Sequence, residues 1–362
     1  MNPLLGIIFK MKFEKVLLSR ISDLKKIAKK EKKLSGFMIG NTSKSEKNEF
    51  YFTPLRDTKS MVVSGIIVYS ETYAKKAAKY LDGKVDYILV DAEKKIPPKK
   101  NGDPSNIERR VKEVLKKTPM WVYKGNDLTV DAVDIFLTNF LKKNLRGIGG
   151  KKILIIGAGN IGFKIALQLV ERGAKVYLCA RNLKKLKLKV DTLNSIKPIH
   201  TFEKVNKIEL KNVKKIAHSL DIIIGATNGK PVIKKNMLIK LKKKTILIDL
   251  GKGTFFGDAV MYANDKNHKI YRVDISVALE GQINKFLMLK KNKSIVLEKK
   301  KLLGEKLVSS GLLGGYGDII IDDIKAPKRV LGVSDGKGDF LRKLNFRQQK
   351  NVNKIISFLK KK

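Results

Sequence analysis

Three glycines, Gly157, Gly159 and Gly162, stand at the spacing G-x-G-x-x-G. That spacing suits a turn whose backbone cradles a pyrophosphate. Residues 153–156 before it are a continuous apolar run, as in a strand buried on both faces. Ile161, Ile165, Ala166 and Leu169 after it repeat with helical spacing, and 176–179 read as a second strand. The first glycine permits the tight turn, the second lets phosphate approach the backbone, and the third lets helix pack on strand. The helix N-terminus offers free N–H groups and the positive end of its dipole. Gly157, Ala158, Gly159, Asn160, Ile161 and Gly162 are therefore candidate dinucleotide contacts; a bare packing turn is the alternative.

The end of the second strand bears on which dinucleotide. An acid there would accept from a ribose 2′-OH, but the chain reads Cys179-Ala180-Arg181-Asn182, with Lys185 close behind. A guanidinium can clamp a 2′-phosphate with its planar fork. Arg181, Asn182 and Lys185 point to NADP, with NAD as the alternative; in so basic a chain Arg181 also reads as a plain surface cation. Further apolar strands at 221–225 and 245–250 end next to Ala226, Thr227 and Asn228 and to Gly251. Ligands sit outside the carboxyl ends of strands in such sheets, so these residues are expected to meet the cofactor.

The elements that must position these residues form an α/β chain. A Lys-rich helix with Val16, Leu17, Ile21, Leu24, Ile27 and Ala28 on its apolar face opens it. Strands are expected at 37–39, 49–52, 61–69, 87–90 and 120–123, and helices at 71–81 and 107–117. Polar loops are expected at 41–48 and 94–105. Asn126-Asp127-Leu128-Thr129 reads as the cap of a helix running to 145, and the glycine loop 146–150 reads as a hinge. We expect an N-terminal α/β substrate and catalytic lobe over 1–145. A Rossmann domain, a doubly wound parallel sheet that binds NAD(P), is expected over 150–290, with one more strand at 270–274. A C-terminal extension, 291–362, is expected to pack back, through a helix at 349–359, onto the first lobe.

The sequence of 362 residues has room for two domains with proper cores. Its formal charge of +44 reflects 78 Lys and Arg against 34 Asp and Glu. Lys outnumbers Arg, the lysines are scattered, and no helix-turn-helix, zinc-knuckle or RNP pattern is present. Biased lysine usage explains this better than a specific nucleic-acid partner. One cysteine, Cys179, rules out a disulfide framework and suits a reducing compartment. No stretch is long enough to span a bilayer, so no membrane partner is expected and the expected location is the cytoplasm. His200, His218 and His268 lie far apart, so no metal site is expected.

The stretch 126–131 opening a helix, followed by GKKILIIGAGNIG, resembles the two-domain NAD(P)-dependent dehydrogenases of the shikimate, methylenetetrahydrofolate and methylenetetrahydromethanopterin dehydrogenase type. KVYLCARNLKKLKLKVDTLN is similar to the matching strand and helix of the methanopterin group. The resemblance is clearest over 125–250. It implies an NADP-dependent oxidoreductase that moves a hydride to or from a small polar metabolite held between two lobes. A non-catalytic NADP-sensing protein is the alternative; an open cleft with convergent polar groups would favour the enzyme. Shikimate dehydrogenases handle the proton with a Lys and an Asp, and no segment reproduces their lysine motif. Lys59 and Asp131 are the candidates by position, although Asp131 also reads as a first-turn helix acid. Arg56 is a candidate for a substrate carboxylate. A homodimer is the default expectation.

Overall fold

The computed structural model describes residues 3–42, 50–98, 105–228, 230–251, 253–291 and 299–360. The loops expected at 41–48 and 94–105 lie partly outside these residues. The chain divides into two compact units, Met1–Ile283 and Asn284–Lys362, and the first contains two sheets.

The first sheet holds β1 (Leu34–Asn41), β2 (Phe50–Asp57), β3 (Met61–Val68), β4 (Tyr87–Asp91) and β5 (Met120–Tyr123), in the order β2-β3-β1-β4-β5. All are parallel except β2, which pairs antiparallel with β3 at the edge. Helices α1 (Pro3–Lys30), α2 (Glu71–Leu81) and α3 (Ile107–Lys112) share one core with it. In α1 the buried stripe is Phe13, Leu17, Ile21, Leu24 and Ala28, spaced by three and four residues as a helix face requires. Ile27, expected on that face, is exposed. Helix α3 is shorter than the spacing predicts and ends at Lys112.

Helix α4 (Gly125–Phe140) leads to the second sheet. This sheet comprises β6 (Lys152–Ile156), β7 (Lys175–Cys179), β8 (Val205–Ile208), β9 (Ile222–Gly225), β10 (Ile246–Asp249) and β11 (Lys269–Tyr271). All are parallel, in the order β11-β10-β9-β6-β7-β8, which is the strand order of a Rossmann domain. Helices α5 (Asn160–Glu171), α6 (Leu183–Ile196), α7 (Val213–Ile216), α8 (Lys235–Leu238) and α9 (Gly257–Asp265) cover both faces. In β6, Ile153 and Ile155 enter the core shared with α4, α5 and α6, while Leu154 and Ile156 enter the opposite core. Burial on both faces is why this strand reads as an unbroken apolar run.

Helix α10 (Ser276–Lys291) runs on from the Rossmann sheet. The second unit pairs β12 (Lys299–Leu302), β13 (Glu305–Ser309), β14 (Ile319–Ile321) and β15 (Val330–Val333) in one mixed sheet. The terminal helix α11 (Phe346–Lys360) packs on this sheet, burying Val352 and Ile355 against Leu307, Ile319, Ile321 and Val333.

Candidate functional site

The glycine turn lies between the carboxyl end of β6 and the start of α5. Gly157 has a φ of +118°, and a Cβ there would meet the Ala226 carbonyl oxygen at 2.5 Å. A Cβ on Gly162 would fall on the Gly157 carbonyl oxygen. A Cβ on Gly159 would point into open space, with nothing within 4 Å beyond its own chain neighbours and helix. Gly159 caps α5 without any side-chain hydrogen bond, which leaves the first helical N–H groups for a ligand.

A cavity of about 710 Å³ opens over this turn. Gly157, Ala158, Gly159, Arg181, Asn182, Lys185, Ala226, Thr227 and Asn228 line it, together with Lys189 and Lys230. Four cations and no carboxylate stand among its described lining residues, which suits a ligand bearing several phosphates. The Asn182 side chain accepts from the Lys185 N–H at 2.9 Å and so serves as the cap of α6. Lys189, which sequence reasoning passed over, donates from Nζ to the Ala158 carbonyl. Cys179 also lines the cavity; burial pushes its thiol up to about 11, so it stands there as an inert neutral group.

A second cavity, of about 540 Å³, adjoins the first and shares Gly159, Ala226, Thr227 and Asn228 with it. Asn160, Ile161 and Gly251 line only this second one. It is a cleft onto which the parallel strands of both sheets direct their carboxyl ends. The first sheet brings Asn41 from β1, Asp91 from β4 and Tyr123 from β5. The Rossmann sheet brings Asn228, Gly251 and Asp274 from the loops after β9, β10 and β11. The winding of the first sheet reverses between β1 and β4, and Asn41 and Asp91 end these two strands, where open α/β sheets bind ligands.

Asp91, 2 % exposed, is the centre of the cleft's polar network. Its Oδ2 accepts from Lys95 Nζ at 2.7 Å, and its Oδ1 accepts from the N–H of Gly125 at 3.1 Å. Glu93 accepts from Lys95 Nζ at 2.9 Å and from the Asn126 N–H at 2.8 Å. The two carboxylates thus take the first N–H groups of α4. Helix α4 therefore begins one residue before the expected cap, with Lys124 at the cap position and no side-chain capping bond. Asn41 holds the loop, donating to the Glu93 carbonyl at 2.9 Å and accepting from the Lys95 N–H at 3.1 Å. Burial first, and then the Asp91 carboxylate, push the Tyr123 phenol well above its usual range, so it stays neutral.

Neither expected member of the proton-handling pair is among the residues that line the cleft. Lys59 is exposed in the turn before β3. Its neighbour Ser60 accepts from the N–H of Leu34, at the amino end of β1, whereas the cleft lies at the carboxyl end. Asp131 is exposed on α4, while Asn126, Leu128 and Thr129 of that helix face the cleft. The Lys–Asp pair that does line the cleft, Lys95 and Asp91, was not singled out in the sequence. Its signal was an acid closing a buried apolar run, at a sheet's switch point. Arg56 does line the cleft, but its guanidinium engages Asp274. Among the described residues no group of three or more His, Cys, Asp or Glu is placed to hold a metal ion.

The loop carrying Gly251 is held by Asp249. Its carboxylate accepts from Thr254 Oγ1 at 2.5 Å, the Gly253 N–H at 2.9 Å and Arg272 Nη2 at 3.2 Å. Burial alone would raise its pKa, but these bonds outweigh burial and hold it below the usual range. A lowered folded pKa stabilises the fold above the unfolded value, about 4. That contribution is lost as pH falls through the lower folded value. Asp249→Asn should therefore be less stable than the parent at pH 7 by about 1–3 kcal/mol. The gap should shrink on acidification to about pH 3, read by urea unfolding at both pH values.

Residues 139–277 match the family model of shikimate / quinate 5-dehydrogenase. The match takes in the whole Rossmann sheet, β6 to β11. The chain is 35% identical over 103 residues to the glutamyl-tRNA reductase of Thermosipho melanesiensis, covering 28% of this chain and 26% of that protein. It is 30% identical over 129 residues to the bifunctional protein FolD of Mycoplasma mycoides subsp. mycoides, covering 35% and 34%. These matches span only about a quarter to a third of the curated relatives' lengths. A shikimate dehydrogenase solved in complex with NADP+ aligns with a TM-score of 0.38 at 16% identity, over 70% of this chain and 96% of that one. Among the described residues no helix is long and apolar enough to cross a membrane.

Proposed function

We propose that this chain is a two-lobe dehydrogenase that binds NADP in the cationic cavity and acts on a small polar molecule held in the adjoining cleft. The observation that carries this reading is the continuity of the two cavities through Gly159, Ala226, Thr227 and Asn228. A dinucleotide on the glycine turn would have its far end directed to the cleft. When bound, NADP supplies or accepts the hydride. The chain's own residues then position the reacting carbon, exclude water and handle a proton.

Lys95 and Asp91 are the pair we assign to that proton. When an alcohol or amine is oxidised, its O–H or N–H proton must leave as the hydride does. Lys95 lines the cleft, and its Nζ lies 2.7 Å from Asp91 Oδ2, so a proton exchanged with the substrate can pass along this bond. Tyr123 and Asn126 stand beside the pair as groups that orient a hydroxyl or carbonyl. A cytoplasmic location accords with the lone, buried thiol of Cys179.

Choice of NADP rests on Arg181, with Lys185 and Lys189 on the same wall. Charge-assisted bonds contribute about 1.5–3 kcal/mol, so Arg181→Ala should weaken NADPH binding about 10- to 100-fold. NADH, lacking the 2′-phosphate, should bind the two proteins alike. Fluorescence titrations at fixed moderate salt measure both. Failure of the parent protein to bind either nucleotide would sink the oxidoreductase reading.

A further inference from the structure

The two cavities differ in charge. The cofactor cavity carries Arg181, Lys185, Lys189 and Lys230 with no carboxylate among its described lining residues. The cleft carries two cations, Arg56 and Lys95, and two carboxylates, Asp91 and Asp274. In a chain with 78 basic and 34 acidic residues, a cavity walled without selection would be basic by about two to one. The cleft departs from that background.

Its cations are also already engaged. Arg56 has a side chain only 10 % exposed. It donates from Nη2 to Asp274 Oδ2 at 3.0 Å and from Nε to Oδ1 and Oδ2 at 3.2 and 3.3 Å. The fork that would clamp a substrate carboxylate is therefore filled by one from the chain itself. Its Nη1 donates to the Pro54 carbonyl at 3.3 Å. Asp274 is fixed in turn by the Ser276 N–H at 2.8 Å and by the Ser276 hydroxyl. Lys95 is held between Asp91 and Glu93. A substrate carboxylate would have to displace Asp274, which is 54 % exposed but is also held by Ser276, or draw Lys95 away from the buried Asp91.

We propose that the cleft selects a neutral polar substrate, and that Asp274 sets this by filling the guanidinium fork of Arg56. This rests on the cleft being the substrate site. Asp274 is a specificity-determining residue here: it fixes the charge that Arg56 presents.

The test uses malonate, its neutral counterpart malonamide, and 1,3-diaminopropane as probes, with calorimetric titration at constant ionic strength. Asp274→Asn should bind malonate at least tenfold more tightly than the parent, with malonamide unchanged. Adding Arg56→Gln to that variant should abolish the gain, which separates the cleft from other basic surface. Arg56→Gln alone exposes the Asp274 carboxylate. It should gain affinity for 1,3-diaminopropane at least tenfold and none for malonate, and it keeps the test decisive where Asp274→Asn does not fold. Parent protein that binds malonate as tightly as Asp274→Asn, with the binding lost in Arg56→Gln, would overturn the proposal: Arg56 would then be an anion anchor. Folded variants with unchanged affinities would overturn it too. NADPH titration of the same samples separates the two readings. Retained NADPH binding without the probe gains refutes the charge selection alone, whereas loss of NADPH binding by the parent refutes the functional reading.

Discussion

Replacing Lys95 by arginine is expected to lower turnover by about 10²- to 10⁴-fold, the usual contribution of a positioned proton donor or acceptor. Stability and NADPH affinity should stay near the parent values. The argument turns on what arginine keeps and what it loses. A guanidinium keeps the positive charge between Asp91 and Glu93, where Lys95 Nζ lies 2.7 and 2.9 Å from the carboxylate oxygens. It does not give up a proton in a protein, so it can hold the network without exchanging one with a substrate. Lys95→Met is the harsher change. It leaves Asp91, 2 % exposed, without its cationic partner, and breaking a buried pair this way costs about 3–5 kcal/mol. Loss of activity in Lys95→Met would therefore mix folding with chemistry, and Lys95→Arg separates them. The measurement is kcat and KM with a substrate found by screening NADPH oxidation, alongside thermal unfolding. A Lys95→Arg enzyme that turns over at the parent rate would remove the proton role from this pair.

The same pair shows why part of the site was hidden in the sequence. The glycine turn is a local device: three glycines, one strand and one helix within about twenty residues create it, and such devices can be read residue by residue. Lys95 is one lysine among dozens, and only the folded loop after β4 brings it to Asp91. Lys59 drew attention because it precedes a strong strand. A strand's amino end is the wrong end of a parallel sheet, and that is clear only once the strand directions are known. The start of α4 was misplaced for a related reason. Asn126 and Asp127 are residues that commonly cap helices, but here Asp91 and Glu93, distant in sequence, accept from the first helical N–H groups. Strands with both faces buried, such as β6, β9 and β10, stood out as apolar runs. Strand β8 did not, because at the sheet edge only Val205 of its VNKI segment is buried. Strand β12 reads KKKL and lies at the edge of its sheet, so its sequence carries almost no strand signal. Charge was misleading in the same way. Arg56, a candidate for a substrate carboxylate, lines the cleft, but a guanidinium's partner is a tertiary fact, and Asp274 lies 218 residues away.

Two alanine substitutions within the glycine turn should separate folding from nucleotide binding, with opposite signatures. At Gly162 a Cβ would overlap the Gly157 carbonyl oxygen, and backbone cannot swing aside as a flexible side chain does. Gly162→Ala should therefore push α5 off the turn and destabilise the fold by about 1–3 kcal/mol, the usual cost of overpacking. NADPH affinity should fall with it, because the carbonyl, the turn and the first N–H groups of α5 move together. Gly159 is different. Its φ of −75° is open to alanine, and a Cβ would meet no protein atom within 4 Å. Gly159→Ala should therefore leave thermal unfolding almost unchanged. The space the methyl would enter is the space through which a pyrophosphate approaches the backbone, so NADPH binding should weaken by at least about tenfold, as expected when a close backbone approach is blocked. Thermal unfolding and NADPH titration of both variants measure the two effects. If Gly159→Ala bound NADPH as tightly as the parent, the open space above the turn would not be the phosphate site. The glycine spacing would then serve only the turn and the packing of α5 against β6, which Gly157 and Gly162 require.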